Sequence, residues 1–364
     1  MRMKTIAVFF GGQSSEHEVS CKSVLNVLEN LDEKKYETQI IGITKEGKWL
    51  YVPSAEKVKD ESWRQGTVSA LLSPDTSHHG ILLCEDGTYR LKKVDVLYPV
   101  LHGLYGEDGS IQGLFELSGI PYVGSGVLSS SVCMDKITTK IFVEQLGICQ
   151  ARFVTDVRND LKEIDKTVSE AENTLGYPVF VKPSNAGSSR GVSKANNRAE
   201  LKRAIEVAKK HDNRVLIEEA IVGREIECAV LGGWKPEAAG PGEIIAAAEF
   251  YDYDAKYNNE DSLTIINPDI PEDIKENVRE SAIKIYQHVN AYSQSRVDFF
   301  LENDTNRLIF NEINTLPGFT NISMYSKLWM EKGYDMTMLL DKIIETAGER
   351  YGTAGNRKYK GDSI

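Results

Sequence analysis

Two late segments, SRVDFFLEND at 295–304 and NRLIFNEIN at 306–314, carry apolar strand patterns on either side of a turn-prone Glu-Asn-Asp-Thr-Asn stretch and are expected to pair as a hairpin. Successive side chains alternate faces, so Glu312 and Asn314 share one face. A register that sets Asp298 opposite them brings three oxygen donors together with no His or Cys among them. Such hard donors suit Mg²⁺ or Mn²⁺. Arg296, two residues before Asp298, points the same way. The plainer alternative is a solvated sheet face whose acids pair with lysines.

A second pattern lies in YPVFVKP at 177–183, whose Lys182 is followed by the Gly-Ser run SNAGSSRGVS at 184–193. Such a run can offer backbone N–H groups and hydroxyls to phosphate oxygens, or can simply turn a hairpin. Beside a lysine and an oxygen trio, it points to a nucleoside triphosphate. YVGSGVLSSS at 122–131 also contains G-x-G, but the third glycine position of the dinucleotide fingerprint falls on Ser129, and that reading is rejected. Near the start, TIAVFF at 5–10 turns through Gly11 and Gly12 into QSSEHEVS. Glu16 there can hold a substrate ammonium or merely cap a helix. His102 follows the buried run VDVLYPV and reads equally as a site residue or a loop anchor.

The elements that must position these groups come in three styles. Strand and helix patterns alternate over the first third, the grammar of a doubly wound parallel sheet whose carboxyl edge binds ligands. The irregular segment 49–93 ends in GILLCEDGTYRLKK, where Glu85, Asp86 and Gly87 read as a hairpin turn between two short strands, and the segment reads as an embellishment of that first unit. From ARFVTD at 151–156 an α+β unit follows, taking in VLIEEAI at 215–221 and REIECAVLGG at 224–233. A third unit runs from about Gly242 to a closing helix near 334–349. The expected divisions are 1–134, 135–240 and 241–350, with a flexible polar tail at 351–364.

The 364 residues carry 43 basic and 54 acidic side chains, a net charge of −11, which argues against general nucleic-acid binding. No apolar run approaches the roughly 18 residues of a membrane span. Five scattered cysteines without C-x-x-C spacing read as reduced thiols of a cytoplasmic protein.

Taken in order, GGQSSEHEVS at 11–20, LHGLYGEDG at 101–109, MDK at 134–136, VKPSNAGSSRGVSK at 181–194, FYDYDAKY at 250–257, SRVDFFL at 295–301 and NEINTLPGFT at 311–320 resemble the D-alanine–D-alanine ligase family of the ATP-grasp architecture. The match spans about residues 4–348. It implies a parallel α/β domain followed by a two-lobed α+β ATP-grasp fold. Its reaction joins two D-alanine molecules through a D-alanyl phosphate, with ATP and two Mg²⁺ or Mn²⁺ ions, usually in a homodimer.

The resemblance assigns Asp298, Glu312 and Asn314 to the metal, and Lys136, Lys182 and Lys256 to the ATP phosphates. Glu218 matches the adenine contact and Glu225 the ribose contact. Glu16 matches the residue that receives the first D-alanine's ammonium, beside His102 in the neighbouring substrate loop. Arg296 and the N–H of Gly318 match the oxyanion site. Ser323 and the amide of Met324 match the anchor for the second D-alanine's carboxylate. Ser188 and Tyr257 match the pair that links with Glu16 to close the site. The segment 49–93 departs from short family members.

Overall fold

The computed structural model describes residues 2–157, 163–245, 263–320 and 322–354. Its first sheet has seven strands: β1 (Lys4–Gly11), β2 (Tyr36–Ile43), β3 (Trp49–Val52), β4 (Ser69–Leu72), β5 (Gly80–Glu85), β6 (Thr88–Lys93) and β7 (Val96–Val100), in the order β6-β5-β4-β3-β2-β1-β7. Only β2, β1 and β7 pair in parallel. The expected parallel sheet is therefore confined to these strands, and the 49–93 segment extends it with four antiparallel strands.

The alternation within β1 makes the sheet two-sided. Ile6, Val8 and Phe10 pack with α1 (His17–Asn30), with Val58 of α2 (Ala55–Lys59) and with the closing helix of the chain. Ala7 and Phe9 face the opposite way, onto Ile111 and Phe115 of α3 (Ser110–Ser118).

The helices α4 (Val127–Met134) and α5 (Lys136–Glu144) lead out of this domain. Asp135 separates them and caps α5, its side chain accepting the Thr138 N–H at 2.7 Å. A four-stranded antiparallel sheet follows, in the order β10-β9-β11-β8, from β8 (Phe153–Asp156), β9 (Val179–Pro183), β10 (Ser193–Ala195) and β11 (Val215–Glu219). Val179, Val181, Val215 and Ile217 bury one face of it against α6 (Ile164–Thr174) and α7 (Arg198–Ala208).

The third sheet has the order β14-β13-β12-β15-β16, from β12 (Gly223–Gly232), β13 (Glu237–Ile245), β14 (Leu263–Ile266), β15 (Ser293–Glu302) and β16 (Leu308–Asn314). One face packs on α8 (Glu272–His288) through Ile226, Cys228, Val230, Val297 and Phe299. On the other face, Ala229, Leu231 and Ala239 meet Tyr325 and Leu328 of α9 (Met324–Glu331). The chain closes with α10 (Met336–Ala354), which returns to the first sheet through Leu340 and Ile343.

Two expected boundaries fall elsewhere. The segment REIECAVLGG, grouped by sequence with the central unit, forms β12 and pairs with β15 in the third sheet, while a division at 240 runs through β13. The closing helix continues past 350; of the expected tail, 355–364 lie outside the described residues.

Candidate active site

A cavity of about 1190 Å³ is walled by the second and third sheets and closed on the side of the first domain by Glu16 and Val19 at the start of α1 and by His102 and Glu107 of the loop after β7. Strand alternation supplies its side chains. On β12, Ile226 and Cys228 enter the core, so Glu225 and Glu227 turn to the cavity. On β15 the same rule buries Val297 and Phe299 and brings Arg296 to the cavity wall, with Asp298 of the same strand face buried against it. The hairpin forms, and its register sets Asp298 opposite Glu312, the condition on which the oxygen trio depended, and Arg296 opposite Asn314. The register skips Asn311 between Phe310 and Glu312. This irregularity breaks the alternation, so that Phe310 packs into the core at the cavity's edge and the adjacent Asn311 and Glu312 both line the cavity.

Asp298, almost fully buried, receives the Arg296 guanidinium in a two-pronged pair at 2.8 and 2.7 Å. Asn314 donates its Nδ2 to Asp298 Oδ2 at 3.1 Å, which leaves the amide oxygen as its acceptor. Two carboxylates and an amide oxygen on adjacent strands are a donor set that fits a hard divalent cation. Arg296 also lies 3.2 Å from Glu227 and is held well above its usual range: burial opposes its charge, but Asp298 and Glu227 outweigh that.

Across the cavity, Phe180 and Lys182 of β9 and Glu218 of β11 share the face opposite the valine core. Lys182 Nζ lies 2.7 Å from Glu218 Oε2 and 3.4 Å from Asn311 Oδ1. Lys136, at the start of α5, joins the Gly-Ser loop to the metal-type strand: its Nζ donates to Ala186 O at 2.9 Å and sits 3.4 Å from Glu312 Oε2.

The Gly-Ser loop is indeed a hairpin loop between β9 and β10, and it also reaches across the cavity. Ser188 and Ser189 adopt left-handed φ of 50° and 55°. Ser188 Oγ donates to Glu16 Oε1 at 2.6 Å. A Cβ on neighbouring Gly187 would lie 2.5 Å from Glu16 Oε2, so any larger residue there would push the carboxylate from its present place. Glu16 sits at the N-cap of α1 but makes no side-chain cap bond, which disposes of the capping alternative.

His102 proves to be both anchor and wall. Its Nδ1 lies 3.0 Å from Leu316 O and its Nε2 3.4 Å from Ser23 Oγ, while the ring lines the cavity. Burial pushes its imidazole down, against the opposing pulls of Glu16 and the Leu316 carbonyl. At the far end, Ser323 N-caps α9 by position, and its Oγ accepts the Thr320 N–H at 3.0 Å. Gly318 and the first helical residue, Met324, line the cavity beside it. Lys256 and Tyr257 lie outside the described residues.

Sequence reasoning missed three groups. Glu227 lies two residues after Glu225, and strand period alone could have placed it on the same face. Lys140 lies one helical turn after Lys136 and is buried, with Nζ 2.7 Å from Glu218 Oε1. Glu107, inside LHGLYGEDG, accepts the Gly103 N–H at 2.8 Å and the Leu316 N–H at 3.0 Å.

Burial, reinforced by Glu16, pushes the Glu107 carboxyl up to about 8 against the two backbone donors. A folded pKa raised above the unfolded value favours the fold fully below about pH 4.5, and that contribution is lost as pH rises through about 8. Glu107→Gln is therefore expected to flatten the fall in Tm between pH 5 and 9, followed by thermal unfolding in a buffer series. An unchanged slope would remove Glu107 as its source.

Comparisons with known proteins place the chain in a family. The family model for the D-ala D-ala ligase N-terminus matches residues 5–125, and that for the C-terminus matches 142–345. A D-alanine–D-alanine ligase of Clostridium acetobutylicum is 47% identical over 349 residues, covering 95% of this chain and 98% of the relative. One from Caldicellulosiruptor bescii is 45% identical over 355 residues, covering 97% and 98%. Among solved structures, the VanG D-Ala:D-Ser ligase from Enterococcus faecalis superposes with a TM-score of 0.87 at 38% identity, covering 95% of this chain and 100% of that one. The D-alanine–D-alanine ligase from Coxiella burnetii gives 0.84 at 32% identity, covering 98% and 97%. With both halves matched by their models and full-length relatives at this identity, the chain belongs to the D-alanine–D-alanine ligase family.

Proposed function

We infer that this enzyme joins two D-alanine molecules into D-alanyl-D-alanine at the expense of ATP, a step of peptidoglycan precursor synthesis, releasing ADP and phosphate. The observation that carries this reading is one cavity lined by the Ser188–Glu16 contact, by Lys136 and Lys182 and by the oxygen donors Glu312 and Asn314, with Asp298 buried behind Arg296 and Asn314. A carboxylate is a poor electrophile, and ATP makes it reactive as an acyl phosphate that the second amine can attack. Mg²⁺ or Mn²⁺, two ions by family resemblance, would be held by Asp298, Glu312 and Asn314 and would neutralise charge on the phosphates.

The chain's own groups divide the remaining work. Lys136 and Lys182, joined by Lys256, bind phosphate oxygens. Glu218 takes the adenine amino group and Glu225 the ribose hydroxyls. Glu16 receives the first D-alanine's ammonium, with His102 shaping that end of the cavity. Ser323 and the Met324 N–H, at the N-terminus of α9, take the second substrate's carboxylate, since a helix start favours an anion. Arg296 and the Gly318 N–H stabilise the tetrahedral oxyanion. Ser188 and Tyr257 close on Glu16 to exclude water.

Incubation with ATP, Mg²⁺ and D-alanine is expected to yield the dipeptide by mass spectrometry, and L-alanine to yield none. ADP release with D-alanine but no dipeptide would overturn the reading, and a larger yield of mixed product with D-serine would reassign the acceptor. Ser188→Ala removes a hydrogen bond to a carboxylate and should raise the D-alanine KM about tenfold. It should also increase ADP released per dipeptide, because acyl phosphate then meets water. Unchanged coupling in a stoichiometry assay would argue against the closing role.

Among the described residues, no helix is long and apolar enough to cross a membrane. With free cysteines, three of them at least partly accessible, this fits a cytoplasmic enzyme. By family resemblance it works as a homodimer, which light scattering of the purified chain would test.

A further inference from the structure

Glu218 is held from two sides. Lys182 Nζ lies 2.7 Å from one carboxylate oxygen, and Lys140 Nζ 2.7 Å from the other. The two lysines differ in what they can do next. Lys182 stands on the cavity wall and is positioned to turn to phosphate. Lys140 is buried inside α5, its ammonium 5.2 Å over the Phe153 ring and 3.5 Å from Ala151 O, and it does not line the cavity. When ATP draws Lys182 away, one oxygen of Glu218 is released for the base, and Lys140 is the cation that stays.

We propose that Lys140 is a positioning residue for nucleotide selectivity: it keeps Glu218 an acceptor-only carboxylate after Lys182 leaves, and so selects a 6-aminopurine over a 6-oxopurine. This rests on the reading that Glu218 meets the base. A carboxylate accepts the hydrogen bond of an exocyclic amino group and repels an oxo group at the same place. Without Lys140, a buried Glu218 facing no cation takes up a proton, and its O–H can then donate to an oxo group. The balance of forces fits: burial alone would raise the Glu218 carboxyl, yet Lys140 and Lys182 bring it down to about 2.

The test compares kcat/KM for ATP and ITP in wild type, Lys140→Met, Lys140→Gln, Glu218→Gln and the Lys140→Met/Glu218→Gln pair. Either neutral Lys140 variant should reduce the ATP:ITP ratio at least about tenfold, and Lys140→Met should change it no further once Glu218 is glutamine. An unchanged ratio, or the same reduction in both backgrounds, would overturn the proposal, since a purely structural lysine acts regardless of Glu218. If Glu218→Gln by itself leaves the ratio intact, the assignment of Glu218 to the base fails instead.

Should neither neutral variant fold, the wild type decides through ADP and IDP affinities measured calorimetrically from pH 8 to 5.5. The charged groups in play are Lys140 of α5 and Lys182 of β9 facing Glu218, with Glu225 of β12 and Glu312 of β16 acting on Lys182. A constant ADP:IDP ratio supports a carboxylate held ionised, and a ratio falling toward one overturns it.

Discussion

Asp298→Asn and Glu312→Gln are each expected to lower kcat about a thousandfold while leaving the fold in place. A bound divalent ion offsets several kcal/mol of charge in phosphoryl transfer, and about 4 kcal/mol corresponds to that factor. The two variants should differ in stability. Glu312 is partly exposed and pairs with Lys136 at 3.4 Å, so Gln costs little. Asp298 is buried under a two-pronged arginine, and the neutral amide loses the charged part of that pair, about 1 to 2 kcal/mol. Steady-state ADP release and thermal unfolding separate the effects. Wild-type turnover in either folded variant would remove that residue from the metal site, and equal loss of both Tm values would contradict the difference in burial.

How far the sequence reached depends on which periodicity governs each residue. Lys182, Asp298, Arg296 and Asn314 sit in regular strands, where the two-residue period of the chain is enough to fix their face. Glu312 was placed correctly, but its neighbour Asn311 was not singled out, because a skipped register position cannot be seen in a single strand's pattern. The membership of β12 failed for a related reason. Its apolar alternation specifies a buried strand but not its neighbour, and long-range pairing with β15 decided the sheet. The 49–93 segment gave its hairpin away through Glu85, Asp86 and Gly87, although Glu85 still pairs with Thr88 at the end of β5, but not that it would lengthen the first sheet at the β2 edge. Glu107 and Lys140 carry no pattern of their own. Their significance comes from what surrounds them, the Leu316 N–H in one case and Glu218 in the other, both distant in sequence.

Arg296→Met should be the variant that damages both stability and chemistry. The guanidinium serves two carboxylates at once, Glu227 at 3.2 Å and Asp298 at 2.7 Å, whose side chains are 5% and 2% exposed. Removing the shared cation takes a counter-charge from both, and the expected cost is about 3 kcal/mol, seen as a lower midpoint in urea. The same change removes a donor aimed at the developing oxyanion, which by comparison with other oxyanion sites lowers kcat about a hundredfold or more. Pairing Arg296→Met with Glu227→Gln distinguishes the two losses, because the amide no longer needs a counter-charge: stability should partly return while turnover stays low. If turnover recovers along with stability, Arg296 acts only by holding the sheet together, and the oxyanion role must be given to another group.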